Sequence, residues 1–481
     1  MAMIELTPRL DETLEEALYM QLYHYIRGEI VAGRIPTNNR LPSIRRLSAH
    51  LGVSRTPVAL AYDQLLAEGY IISKPRSGFY TADVETFSIS PPTTYLKDQS
   101  NVPPSIPRSY HSSQEDLALY DFGYGSVDLD SFPLTKWRKL MNRCLLPENS
   151  RLLLYGDLQG DPELREEIAT YLHQIRGVRC SSEQIIIGAG TYHSLDLLFQ
   201  LLKRDVSCMA VEKSVNNGVK ALLEQFRFDL HPLHLESDGI RIEEVYNSKA
   251  QAVYVTPSHQ FPFGMTLSVN KRIKLLNWAK EHNAYIIEND YDGEFRYNGR
   301  PIPSLQSLDN DERVVYVGTF SKVLTPSFRI SYLVLPHTLL EQFRLGRHSY
   351  DQLASPIFQK TLQLFMQSGD FERHMRKMRS LYHKKHDILL QAIRHVFQDI
   401  NIDIIGTGSG LHILLRVRNG MNETQLVQTA KQKGVIVYPT SIYTLKQELT
   451  ATPTVLLGFG GLSEMDIRTG IELLNKAWSA E

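Results

Sequence analysis

Four short apolar runs, each ending in small or polar residues, constrain the possible folds of this chain more than any other feature. Gln184-Ile185-Ile186-Ile187 runs into Gly188-Ala189-Gly190-Thr191, and Gln251-Ala252-Val253-Tyr254-Val255 into Thr256-Pro257-Ser258-His259-Gln260-Phe261-Pro262-Phe263-Gly264. Tyr285-Ile286-Ile287 leads to Glu288-Asn289-Asp290-Tyr291-Asp292, and Val314-Val315-Tyr316-Val317 to Gly318-Thr319-Phe320-Ser321-Lys322. Short runs rich in β-branched and aromatic residues read as buried strands. Helical patterns lie between them, such as Lys271 to Lys280. That alternation predicts crossover units and a mostly parallel sheet. The polar ends of such strands converge on one rim, where open α/β sheets bind ligands.

The residue types at those ends suggest a chemistry. A lysine held among apolar neighbours has a lowered pKa and can attack a carbonyl to form a Schiff base; Lys322 also suits a surface position in an ordinary loop. Thr319, Ser321 and Arg329 can hold an anionic handle such as a phosphate. Ala189-Gly190-Thr191 opens a helix after a strand, so free amides and the positive dipole end can meet a phosphate there. An ordinary strand-to-helix turn would look the same, and the spacing is not that of a dinucleotide fingerprint. Taken together, the strand ends offer a phosphate cradle, an amine, a phenol at Tyr291 and a carboxylate. Pyridoxal 5'-phosphate requires such a set.

The first eighty residues are of another kind. Leu14, Leu18, Leu22, Tyr25, Ile26 and Ile30 predict a helix from Thr13 that ends at Gly33. A short helix begins near Pro42 or Ser43, turns at Gly52, and is followed by a second helix with Ser54 as N-cap candidate. Tyr70-Ile71-Ile72-Ser73 and Gly78-Phe79-Tyr80-Thr81 predict a hairpin around Lys74-Pro75-Arg76-Ser77. Between Arg34 and Arg76 stand seven basic residues (Arg34, Arg40, Arg45, Arg46, Arg55, Lys74, Arg76) against two acids (Asp63, Glu68), an excess of 7 − 2 = 5. A helix-turn-helix meets a duplex with its charges placed in this way. A small helical domain with a solvated basic edge is the plainer alternative.

At 481 residues the chain exceeds one ordinary domain. From Ala82 to about Leu117 periodicity disappears into proline- and serine-rich sequence, which suits a linker. Three cysteines (Cys144, Cys180, Cys208) without CxxC spacing imply neither a disulfide framework nor a metal site. No apolar run of about eighteen residues and no leader pattern is present, so a cytoplasmic location is expected and no membrane partner.

Leu41-Pro42-Ser43-Ile44-Arg45-Arg46-Leu47-Ser48, Leu51-Gly52-Val53-Ser54-Arg55-Thr56-Pro57-Val58 and Leu66-Ala67-Glu68-Gly69-Tyr70-Ile71 resemble the winged helix-turn-helix of the GntR class of bacterial regulators. The resemblance assigns DNA contacts to Arg45, Arg46, Ser54, Arg55, Thr56, Lys74, Arg76 and Gly78, and turns Asp63 and Glu68 away from the duplex. Farther along, Tyr155-Gly156-Asp157-Leu158-Gln159-Gly160, Pro257-Ser258-His259-Gln260-Phe261-Pro262, Tyr291-Asp292-Gly293-Glu294-Phe295-Arg296-Tyr297 and Thr319-Phe320-Ser321-Lys322 resemble a fold-type I, class I/II aminotransferase. The whole chain thus resembles the MocR/GabR-type regulators. That implies a head at residues 1–81, a linker at 82–117, and a pyridoxal phosphate-binding body at 118–481 with a small subdomain from about 345. Gly406 to His412 is expected to open the small C-terminal subdomain.

By the same resemblance Lys322 carries the cofactor aldehyde, and Arg329, Thr319 and Ser321 hold the phosphate with Ala189, Gly190 and Thr191. Tyr291 donates to the ring oxygen, and Asn289 or Asp290 faces the ring nitrogen. A head-to-tail homodimer, double-stranded operator DNA and a small-molecule effector, an amine or amino acid, are the implied partners. The sequence departs from the family in three places. Asn289 stands where a carboxylate is usual; Ser214-Val215-Asn216 replaces a Pro-Gly-Tyr turn; and Ile442 and the Val455 to Gly460 stretch lack the arginines that clamp a carboxylate. A regulator with a sensor domain and weak or no transamination follows as the leading expectation. An active aminotransferase with a DNA-binding appendage, and a repressor with a vestigial site used for dimerisation, are the alternatives.

Overall fold

The computed structural model describes residues 6–8, 10–11, 16–75, 77–82, 120–297, 302–346, 350–445 and 452–479. The chain forms two compact units, residues 1–111 and 112–481. The expected linker and Arg76 lie outside the described residues, apart from Ala82.

In the first unit, helix α1 spans Leu18–Val31; Thr13 and Leu14, where the apolar pattern begins, lie outside the described residues. Helix α2 (Ile44–Leu51) starts at Ser43, whose side chain accepts the Arg46 amide, and stops at Gly52 in the left-handed conformation (φ 68°). Only glycine adopts that turn without strain. Helix α3 (Arg55–Ala67) follows, with Ser54 in the N-cap position but making no side-chain cap bond. Strands β1 (Ile71–Lys74) and β2 (Gly78–Thr81) pair antiparallel. Leu22, Ile26, Leu47, Val58, Tyr62, Leu65 and Ile71 form the unit's apolar core. Tyr62 donates its hydroxyl to the Pro42 carbonyl, so the buried phenol of α3 fixes the start of α2.

The second unit is built on a seven-stranded sheet. In chain order its strands are β3 (Ile185–Gly188), β4 (Cys208–Glu212), β5 (Asp229–Leu233), β6 (Ala252–Val255), β7 (Tyr285–Asp290), β8 (Val314–Thr319) and β9 (Ser331–Val334). Their spatial order is β3-β9-β8-β7-β6-β4-β5. Every pair is parallel except those of β9, which runs antiparallel to both β8 and β3. Alternate residues face opposite sides. Ile185, Ile187, Tyr316 and Tyr332 pack in one cluster with Leu164, Ile168 and Leu172 of the helix Pro162–Arg176. Ile186, Val315, Val317 and Leu333 pack in another with Leu195, Leu198 and Leu202 of the helix Thr191–Leu202. Both faces are covered, as parallel sheets require.

A second, four-stranded antiparallel sheet holds Ile402–Ile405, His412–Val417, Thr454–Gly458 and Tyr438–Pro439, in that spatial order. Gly406 to His412 therefore does not open this part of the fold. It is the turn between its first two strands, where Gly406 and Gly410 adopt positive φ and Gly406 sits close against Gly264.

Candidate functional site: a buried lysine at the strand ends

Because β9 runs backwards, its first residue, Ser331, reaches the rim formed by the carboxyl ends of its neighbours. There the Ser331 hydroxyl meets that of Ser194, 2.7 Å away. Past the end of β8, Lys322 is buried, 6% exposed. Its amine donates to the Tyr124 carbonyl and lies 3.9 Å from the centre of the Tyr124 ring. Burial lowers the lysine pKa to about 8, with the Asp292 carboxylate acting in the opposite sense. Such an amine is available as a nucleophile close to neutral pH.

An anion cradle adjoins it. The Thr319 and Ser321 hydroxyls are 2.8 Å apart, and the Ser321 amide donates to Thr319 Oγ1. Arg329 holds φ 53° after the short turn Pro326–Phe328. A Cβ on Gly190 would stand 2.2 Å from Arg329 Nη2, so glycine is what lets the guanidinium lie against the turn. No ion pair engages Arg329 among the described residues. The helix Thr191–Leu202 begins here, and its first-turn amides lack intrahelical acceptors. The Ala189 amide is the exception among the turn residues, since it donates to His193 Nδ1.

The two candidates for a ring-nitrogen partner separate cleanly. Asp290 does not belong to the cradle: it accepts from Arg176 Nε at 2.7 Å and from the Tyr316 hydroxyl at 2.6 Å, in a buried ion pair. Asn289 donates Nδ2 to the Tyr254 hydroxyl at 2.7 Å. Its Oδ1 is buried without a hydrogen-bond partner. An orphaned buried acceptor carries a desolvation penalty unless a donor arrives. The orphaned carbonyl, the cradle at Gly190 and the buried amine together fit a phosphorylated pyridine aldehyde.

Tyr291 donates its hydroxyl to the His259 carbonyl at 3.0 Å. His259 Nδ1 lies 2.9 Å from Asp292, and a Cβ on Gly410 would collide with the imidazole at 2.1 Å. His259, Asp292 and His412 have ligand-type atoms within 4.8 Å of one another. The cysteine count held no hint of this group; His259 was visible only as one residue of a polar strand end. Tyr124 and Tyr254 also escaped sequence reading, because one lies in an irregular loop and the other inside an apolar run. Glu212, ending β4, accepts from the Thr256 amide and hydroxyl, and burial raises its pKa to about 7.

Neither stretch in which the resemblance expects a clamping arginine carries one: Ile442 is exposed, and Val455 to Gly460 is buried and uncharged. Leu456 is fully buried and packs with Phe261, Tyr291, Leu414 and Tyr443. Arg418 pairs with Asp403 at 2.6 Å, and Arg416 lies 3.8 Å from the same carboxylate. Arg416 also lines a cavity of about 650 Å³ with Lys213, Phe263 and Thr440.

On the head, Arg45, Arg46, Ser54, Arg55 and Thr56 are all exposed along the start of α2 and α3. Lys74 is exposed with its ammonium 4.5 Å from the Tyr80 ring centre, and Gly78 is exposed at φ 107°. Glu68 accepts from the Tyr23 hydroxyl of α1 and from Gln64.

Residues 18–81 match the gntR family of bacterial regulatory proteins, and residues 118–455 match aminotransferase class I and II. An uncharacterized HTH-type transcriptional regulator of Bacillus subtilis, YdeL, is 42% identical over 99% of this chain and 100% of its own. The probable rhizopine catabolism regulatory protein MocR of Rhizobium meliloti is 32% identical over 98% and 96%. The HTH-type pyridoxine biosynthesis transcriptional regulator PdxR of Corynebacterium glutamicum is 30% identical over 93% of each. Among solved structures, an archaeal alanine:glyoxylate aminotransferase superposes with a TM-score of 0.68 at 26% identity, covering 75% of this chain and 90% of that one. The Pyrococcus horikoshii kynurenine aminotransferase shares the fold with a TM-score of 0.68 at 24% identity, over 76% and 91%. Similarity that runs through head and body alike places the chain in one family: it belongs to the MocR/PdxR-type HTH transcriptional regulators, in which a GntR-type head is joined to an aminotransferase-like domain.

Proposed function

We propose that this regulator binds double-stranded operator DNA through its head, carries pyridoxal 5'-phosphate on Lys322, and senses a small amine, an amino acid or the cofactor itself. The observation that carries the reading is the buried Lys322 amine, with its pKa brought down to about 8, beside an anion cradle. The cofactor, when bound, supplies an aldehyde and an electron-withdrawing ring. Lys322 would anchor the aldehyde carbon. Arg329, Thr319, Ser321 and the turn at Gly190 and Thr191 would hold the phosphate. Asn289 Oδ1 would accept from the ring nitrogen, and the Tyr291 hydroxyl, which here donates to the His259 carbonyl, would turn its one proton to the ring oxygen.

Two features favour sensing over full transamination. An amide at 289 offers no charge to stabilise a protonated ring nitrogen, and neither Ile442 nor the Val455 to Gly460 stretch offers an arginine to clamp a carboxylate. That the relative PdxR is a regulator of pyridoxine biosynthesis accords with a regulator that reads the cofactor. We also propose a head at 1–81, a linker at 82–117 and a body at 118–481, assembled as a head-to-tail homodimer in the cytoplasm.

The test is visible absorbance of the purified protein after incubation with pyridoxal phosphate. A visible band lost in Lys322→Ala supports the reading. Protein that stays colourless would instead favour an inert dimerisation body.

A further inference from the structure

The turn Ser214-Val215-Asn216 puts no aromatic side chain at the wall of the site between the end of β4 and the helix Asn217–Gln225. An aromatic ring nevertheless stands there, delivered by another element. Tyr192 projects from the first turn of the helix Thr191–Leu202, two residues beyond Gly190 of the anion cradle. Its hydroxyl donates to Asn216 Oδ1, which also accepts from the Gly218 amide at 2.9 Å. A Cβ on Gly218 would lie 2.1 Å from Tyr192 Cζ and 2.4 Å from Cε1. The phenol end of the ring therefore lies close against a helix at the one position without a side chain. It is held at one end by its own helix turn and at the other by Asn216.

Most of the aromatic rings in this body are buried, but Tyr192 keeps 43% exposure. It also acts on the site's other phenols: burial above all holds the Tyr124 and Tyr254 hydroxyls well above the ordinary phenol pKa, and Tyr192 adds to both. Tyr124 holds the Lys322 amine, and Tyr254 holds Asn289. A rigid, half-exposed ring beside a phosphate cradle, a buried amine and a ring-nitrogen acceptor is suited to stack on a flat heteroaromatic ligand.

We propose that Tyr192 is the stacking platform for the pyridine ring of the bound cofactor, brought in from the phosphate-binding helix and seated by Gly218 and Asn216. It is a positioning residue, and the inference rests on the functional reading above. Gly218 has the more diagnostic role. It lies inside a helix and needs no unusual φ, so an alanine there suits the helix better than glycine by propensity. That alanine would nonetheless push the Tyr192 ring off its seat.

The experiment measures equilibrium binding of pyridoxal phosphate to the full chain, with visible circular dichroism of the bound chromophore and thermal unfolding of the ligand-free protein. The wild type is read first. If it takes up no pyridoxal phosphate, the functional reading fails, and the platform with it. If it binds, Tyr192→Leu is expected to weaken binding about three- to tenfold and to change the visible dichroism, as loss of an aromatic stack would. Tyr192→Phe, which keeps the ring, is expected to stay within about twofold. Gly218→Ala is expected to weaken binding like Tyr192→Leu while the ligand-free protein unfolds at the same temperature or higher. Combining it with Tyr192→Leu should add little further loss, since both act through one ring. Wild-type affinity and unchanged dichroism in Tyr192→Leu would overturn the proposal, as would a loss in Tyr192→Phe as large as that in Tyr192→Leu.

Discussion

At the scale of single residues, Asn289 and Lys322 divide the chemistry between them. Strand alternation puts 289 and 290 on opposite sides, and the aspartate is consumed by Arg176 and Tyr316. That leaves the Asn289 amide, with its unpartnered Oδ1, as the proposed acceptor for a ring nitrogen, and an amide accepts such a hydrogen bond without supplying charge. Charge-assisted hydrogen bonds exceed neutral ones by about 1–2 kcal/mol, which is roughly tenfold in rate. Asn289→Asp is therefore expected to speed half-transamination of the loaded protein with an amino acid by roughly tenfold, read as decay of the visible band. No increase would remove the role given to Asn289. Lys322 makes a pH prediction. Burial holds its pKa near 8, so below that pH the amine keeps its proton and cannot attack. Capture of pyridoxal phosphate by the ligand-free protein should quicken as pH rises through about 8 and level off above, whereas a solvent-exposed lysine would still be gaining near pH 10. The places of Lys322, Thr319 and Asn289 at the strand ends were legible because each stands just past an apolar run. Tyr192 was not, since a tyrosine in a helix's first turn gives no sign of the glycine it will meet 26 positions away.

Among the elements, the strands ending at Gly188, Val255, Asp290 and Thr319 could be read directly, because short runs rich in β-branched and aromatic residues with polar ends suit a strand covered on both faces. Strand β9, Ser331–Val334, escaped that reading although it is fully buried. Its residues follow the Arg329 turn at once, and a reversed strand in a parallel sheet leaves no mark on composition. It decides the site all the same, by bringing Ser331 to the rim and tying β3 to β8. Leu333 lies at its centre, fully buried among Ile186, Val317 and Leu198. Leu333→Ala should destabilise the body by about 2–5 kcal/mol in denaturant unfolding, as expected for a cavity in a packed core. The head core contains none of these residues, so its helical signal should persist to the wild-type midpoint.

For the molecule as a whole, two chemistries share one chain and each has its own core. The head presents Arg45, Arg46 and Arg55 to solvent at helix starts, where cations and free amides can meet phosphates. Arg45→Ala and Arg55→Ala should each weaken operator binding, and a residue that touches only phosphate should flatten the log–log salt dependence by roughly one unit. Binding unchanged in both, measured by mobility shift over a salt series, would remove the assignment. The sequence by itself determined the helix-turn-helix, the parallel sheet and the lysine at its rim, because apolar periodicity and capping residues act locally along the chain. Tertiary structure alone decided which way Asp290 turns, that β9 runs backwards, and that the aromatic wall comes from Tyr192 over Gly218. Those outcomes depend on which distant residues fill the same space, and close packing between elements settles that after the local pattern has been spent.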